Sequence, residues 1–152
     1  MKMIINGSKV DSVSGETFDV IAPATGEAIE SVPKATAEDL DTAITAAVAG
    51  QKIWAEIPIS QRAEILYKFL DIVELNKEAL AQTLSAENGK PITEARAEIG
   101  NIKIGFSGFI EHAKHYYGSI IPPGQEPGQD KNMQLVTREP IGVIACIIPF
   151  NF

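Results

Sequence analysis

Asn151, Cys146, the pair His112 and His115, and the trio Glu94, Arg96 and Glu98 are the side chains of this 152-residue sequence whose types and spacing could do chemistry. Asn151 follows Pro149, just past the apolar run IGVIACII at 141–148. A run apolar on both faces reads as a strand buried between helix layers, as in a parallel α/β sheet. Ligands of open α/β sheets bind beyond the carboxyl ends of the strands. A neutral amide there can donate to negative charge that develops in a transition state, without itself titrating. The same position also suits an asparagine that caps a turn or a helix, and residue type alone leaves both roles open.

Cys146 offers a nucleophile, but it sits among Ile144, Ala145, Ile147 and Ile148. A thiol there would be desolvated, with its pKa raised and no base beside it, so the expectation is a small buried core residue. His112 and His115 have the i, i+3 spacing that can share a metal ion. No third ligand accompanies them, and histidine near a helix C-terminus is favourable through the dipole alone, so no metal site is expected. Glu94, Arg96 and Glu98 read as a solvated helix face.

These residues need elements to position them. Residues 3 to 22 read as antiparallel strands with turns at Asn6-Gly7 and Ser14-Gly15. Pro23-Ala-Thr-Gly26 makes a further turn before the short segment EAIESVP. Thr36-Ala-Glu-Asp39 resembles a capping box, and a helix should follow from about Ala37 to Trp54 with Leu40, Ile44, Ala47 and Val48 on one face. Ser60 is expected to cap a second helix to about Leu75, whose Ile65, Leu66, Phe69, Leu70, Ile72 and Val73 give a broad buried face. Asn76 caps a shorter helix that ends near Asn88-Gly89, where glycine supplies the left-handed residue.

Pro91 then opens the longest helix at its tolerated first position. Ile92, Ala95, Ile99, Ile102, Phe106, Phe109, Ala113 and Tyr116 alternate by three and four and form one stripe. That helix would run about 27 residues, or roughly 40 Å. Gly100, Gly105 and Gly108 each cost about 1 kcal/mol against alanine in a helix interior, which suggests close packing there. A helix this long could serve a subunit interface, although packing within one chain is the commoner use. SIIPPGQEPGQDK, at 119 to 131, reads as a loop or extended arm, and MQLVTREP as a half-exposed strand.

Composition limits the rest. With 20 acidic against 13 basic residues the net charge is -7, and no Lys/Arg cluster is available for phosphate, so nucleic acid is not an expected partner. The longest apolar stretch, from Val143 to Pro149, is far too short to span a membrane. The start MKMIINGSKV has no apolar h-region, so no signal peptide is expected. A single cysteine excludes an internal disulfide and fits a reducing, cytoplasmic setting.

Read in order, a series of short motifs resembles the N-terminal third of NAD(P)-dependent aldehyde dehydrogenases. They are Ile5-Asn-Gly7, Thr17-Phe-Asp19, Pro23-Ala-Thr-Gly-Glu27, Thr36-Ala-Glu-Asp39, Trp54, Arg62 with Ile65-Leu66, Gly89-Lys-Pro91, Glu94-Ala-Arg96, Arg138-Glu-Pro140, Gly142-Val143 and Pro149-Phe-Asn-Phe152. The resemblance implies an α/β fold in three parts. Residues 1–118 would form an N-terminal hairpin and helices, 119–140 a bridging and oligomerisation arm, and 141–152 the first strand of a Rossmann-type cofactor domain with a catalytic asparagine loop.

The resemblance also implies roles. Asn151 would donate its amide to the oxyanion formed when a cysteine thiolate attacks the aldehyde. Ile147, Ile148, Pro149 and Phe150 would pack along bound NAD or NADP, and Phe152 would stand at the wall of the substrate tunnel. The family's nucleophilic cysteine and general-base glutamate fall beyond residue 152, and Cys146 does not match the nucleophile. The chain alone is therefore expected to be inactive, the front part of a homo-oligomeric enzyme that acts on a small-molecule aldehyde. A non-catalytic assembly module derived from the same fold is the alternative. Two departures stand out: Phe150 occupies a position where many members have tryptophan, and Ala22 replaces a common asparagine. The family's monovalent-cation ligands would fall near Ile21 and Glu98, but Glu98 is not a clean match and no metal ligand is assigned.

Overall fold

Asn6 and Gly7 both take positive φ, 51° and 73°, the conformation that a two-residue hairpin turn requires. They join β1 (Met3–Ile5) to β2 (Ser8–Val10), with Ile5 opposite Ser8. The computed structural model describes residues 1–150. A second antiparallel hairpin pairs β3 (Thr17–Ile21) with β4 (Ala28–Pro33), with a register shift between Val20 and Ile21. Its turn is closed by the amides of Thr25 and Gly26, which both donate to the Ala22 carbonyl. The turns at Asn6-Gly7 and Pro23-Ala-Thr-Gly26 agree with the sequence expectation, but β3 pairs forward with β4 and not back within residues 3 to 22.

Helix α1 (Ala37–Glu56) starts on the expected capping box. The Asp39 amide donates to the Thr36 hydroxyl oxygen at 3.2 Å, and the Thr36 amide donates to Asp39 Oδ2 at 2.8 Å. Asp39 is buried and does more than cap. It also accepts from the Ser12 hydroxyl at 2.8 Å and from the Val13 amide at 3.1 Å, which ties the segment between the two hairpins to the helix start. The Thr36 amide first, then the Ser12 and Thr36 hydroxyls and the Val13 amide, hold its carboxyl down at about 2 against the opposing effect of desolvation.

Helix α2 (Ile59–Leu75) is capped by Pro58 without a side-chain hydrogen bond, which corrects the assignment of Ser60 as its cap. Proline arrives with its φ already suited to a helix start and leaves no amide to satisfy, so no hydroxyl is needed. Helix α3 (Lys77–Asn88) begins at Asn76 and ends on Gly89, which takes the left-handed conformation as expected. The Asn76 side chain, however, donates back to the Ile72 carbonyl at 2.8 Å and makes no N-cap bond. Helix α4 (Ile92–Lys114) has 23 residues, because His115 leaves helical geometry and stops it short of Tyr116.

The core lies between α2 and α4. Ala63, Leu70 and Ile110 form its buried cluster, with Leu66, Tyr67 and Ile102 packed against it. Ala95 and Ala81 are buried as well, small side chains on α4 and α3. The buried stripe of α4 therefore passes through Ile110, and Phe109 projects away, 74% exposed. The broad buried face expected of α2 is narrower too, since Ile65, Phe69 and Ile72 are exposed. On α1, Leu40, Ile44 and Val48 form the expected apolar face, but it too is exposed.

The last hairpin is the arm. Here β5 (Ser119–Ile121) pairs antiparallel with β6 (Gln134–Val136), with Ser119 opposite Val136 and Ile121 opposite Gln134. From residue 137 to residue 150 the chain has no helix or strand. In this chain the run 141–148, expected as a strand, pairs with nothing among the described residues, and Cys146, expected to be buried, is exposed. A strand exists only through a neighbour's hydrogen bonds, and none of the described residues pairs with this run. Among the described residues, no helix is long and apolar enough to cross a membrane.

Candidate functional site

The segment that carries the expected site leaves the arm at its base. Gly118 lies where the two legs of the arm meet. A Cβ there would stand 3.0 Å from the Val136 carbonyl carbon and 3.4 Å from Thr137 Cα, so only glycine fits. Two residues beyond β6, the Arg138 guanidinium lies 4.7 Å from the centre of the Tyr116 ring. That ring in turn packs on His112, in the last turn of α4, with centroids 5.3 Å apart. Gly142 takes a positive φ of 104° as the segment continues.

Ile147, Ile148, Pro149 and Phe150 follow one another in sequence, and all four are exposed. Ile147 is 97% exposed, so the row presents an apolar surface without a cover. Asn151 and Phe152 lie outside the described residues. Two of the concave surfaces among the described residues lie elsewhere. One runs between Asn6 and the first half of α1, the other between the β3–β4 hairpin and α3, and residues 147–150 line neither.

His112 and His115 each find an aromatic neighbour. His115 Nδ1 and the Tyr117 hydroxyl share a hydrogen bond at 2.9 Å, while His112 stacks on Tyr116. Among the described residues no group of three or more His, Cys, Asp or Glu side chains gathers in a way that could hold a metal ion.

Of the trio on α4, only Glu94 is simply solvated. Arg96 binds Glu78 of α3 through two parallel hydrogen bonds, at 2.9 and 2.7 Å. These bonds, with a further one from Gln82, hold the Glu78 carboxyl down at about 2. Glu98 corrects the expectation more sharply. It forms an ion pair with Lys90, and the two side chains are only 11% and 4% exposed. The Lys90 carbonyl also accepts from the Ser85 hydroxyl at 2.7 Å, so the Gly89-Lys-Pro91 corner is tied to both helices it joins. The available signal was a lysine set between a helix-ending glycine and a helix-starting proline, two turns before a glutamate. A lone lysine at such a corner belongs in water unless it has a partner.

A further link ties α2 to α4. The Tyr67 hydroxyl donates to Glu111 at 2.6 Å, and Lys114 donates to the same carboxylate at 3.0 Å. Bonding to the carboxylate pushes the Tyr67 hydroxyl above its ordinary pKa and draws the Glu111 carboxyl below its own.

Among the described residues, three two-stranded antiparallel hairpins, the last of them the arm, accompany four helices, of which α4 is the longest, and an apolar segment without a cover follows. A sequence model of the aldehyde dehydrogenase family matches residues 9–152, and the chain belongs to that family. It is 42% identical, over 97% of its length, to a 3-sulfolactaldehyde dehydrogenase of Pseudomonas putida. It is 40% identical over 97% of its length to a glutarate-semialdehyde dehydrogenase of Pseudomonas aeruginosa, and 37% identical over 98% to a succinate-semialdehyde dehydrogenase [NADP(+)] of Escherichia coli. In each case the chain spans 30% of the relative's length. Its fold is similar to an NADP-dependent glyceraldehyde-3-phosphate dehydrogenase of Bacillus halodurans solved with NADP, at a TM-score of 0.87 and 32% identity. That match covers 93% of this chain and 30% of that one.

Proposed function

We propose that this chain is the N-terminal portion of an enzyme that oxidises an aldehyde to a carboxylic acid with NAD(P)+. Family membership over nearly the whole chain is the observation that carries this reading. Residues 141–148 then become the first strand of a Rossmann-type sheet once neighbouring strands from the remainder of the protein pair with them. The exposed apolar surface of Ile147, Ile148, Pro149 and Phe150 suits the flat faces of a dinucleotide, and these residues would line it. When bound, the nicotinamide ring supplies a hydride acceptor.

The chain's own chemical contribution is Asn151. A cysteine thiolate from the remainder of the protein attacks the aldehyde carbon, and the carbonyl oxygen gains negative charge. The Asn151 amide donates N–H to that oxygen, stabilising charge that exists only after attack. Phe152 would help wall the substrate tunnel. The arm, 119–140, would bridge subunits of a homo-oligomer.

The relatives narrow the substrate. Sulfolactaldehyde, glutarate semialdehyde, succinate semialdehyde and glyceraldehyde 3-phosphate each join an aldehyde to an anionic group. A short aldehyde with a sulfonate, carboxylate or phosphate at its far end is therefore the proposed substrate class. The test is the whole enzyme assayed with succinate semialdehyde and with butanal, using NAD and NADP in turn. A kcat/KM at least tenfold higher for the semialdehyde is expected. Equal values for the two aldehydes would refute the substrate class, and no reduction of either cofactor would refute the activity.

A further inference from the structure

We draw no further inference here: the strongest candidate, the exposed apolar face that Ile65, Phe69 and Ile72 of α2 share with Phe106 of α4, carries nothing because nothing in the structure shows what covers it.

Discussion

Replacing Gly118 by alanine should open the arm at its base. The added methyl carbon would sit 3.0 Å from the Val136 carbonyl carbon and 3.4 Å from Thr137 Cα, with the Val136 carbonyl oxygen nearer still. Unstrained carbon contacts lie at about 3.5–4.0 Å. Every one of these neighbours is backbone, so no side chain can rotate away and the two legs must part. Forced overpacking of this kind costs about 1–3 kcal/mol, or roughly five- to 150-fold in an opening equilibrium. The arm has little to oppose it, since each of its strands has three residues and a lone two-stranded ribbon is marginal in water.

The assay is amide hydrogen exchange. In Gly118→Ala the amides of Ser119 to Ile121 and Gln134 to Val136 should exchange faster by that factor, while those of α2 and α4 stay protected. Gly105→Ala is the internal control. Nothing lies within 4 Å of a Cβ at Gly105, and it sits mid-helix, so alanine there should stabilise α4 by up to about 1 kcal/mol. Unchanged arm exchange in Gly118→Ala would refute the reasoning. So would an equal loss of protection in both variants.

Three further outcomes follow from other parts of the molecule. In the whole enzyme, Asn151→Ala should lower kcat by about 10²–10³-fold and leave cofactor affinity nearly unchanged; a rise in KM alone would return Asn151 to a turn role. Asp39 is held at about 2 against an ordinary 3.8, so its contribution to stability is full above about pH 4 and is lost as pH falls toward 2. Urea midpoints of wild type and Asp39→Asn should therefore differ at pH 7 and converge near pH 2, and a constant gap would contradict the assignment. The isolated chain should self-associate through its uncovered apolar surface, and removal of residues 141 to 152 should make it more soluble. A concentration-independent monomer by light scattering, with or without those residues, would count against that.

What the sequence revealed and what it hid divide along the range of the interactions. The capping box at Thr36 and Asp39, the Asn6-Gly7 hairpin turn and the left-handed Gly89 are settled within four residues, and all three formed as read. The burial of helix faces is settled by whatever packs on them. Spacing located the apolar positions of α1, yet Leu40, Ile44 and Val48 remain uncovered, because periodicity says which side is apolar and not whether a neighbour is present. The Lys90–Glu98 pair was missed for a related reason. Charged residues in a helical stretch read as solvated, and only the turn of the chain at Gly89 carries the lysine back along α4.

The 141–150 segment is the extreme case. Its composition is that of a strand between two helix layers, but a strand has no local hydrogen bonds, so its existence depends on partners elsewhere. With none among the described residues, the same side chains that would fill a sheet stand in solvent. The site residues of this chain are therefore legible as types and as an order. Their geometry depends on contacts that neighbouring strands of the fold would make.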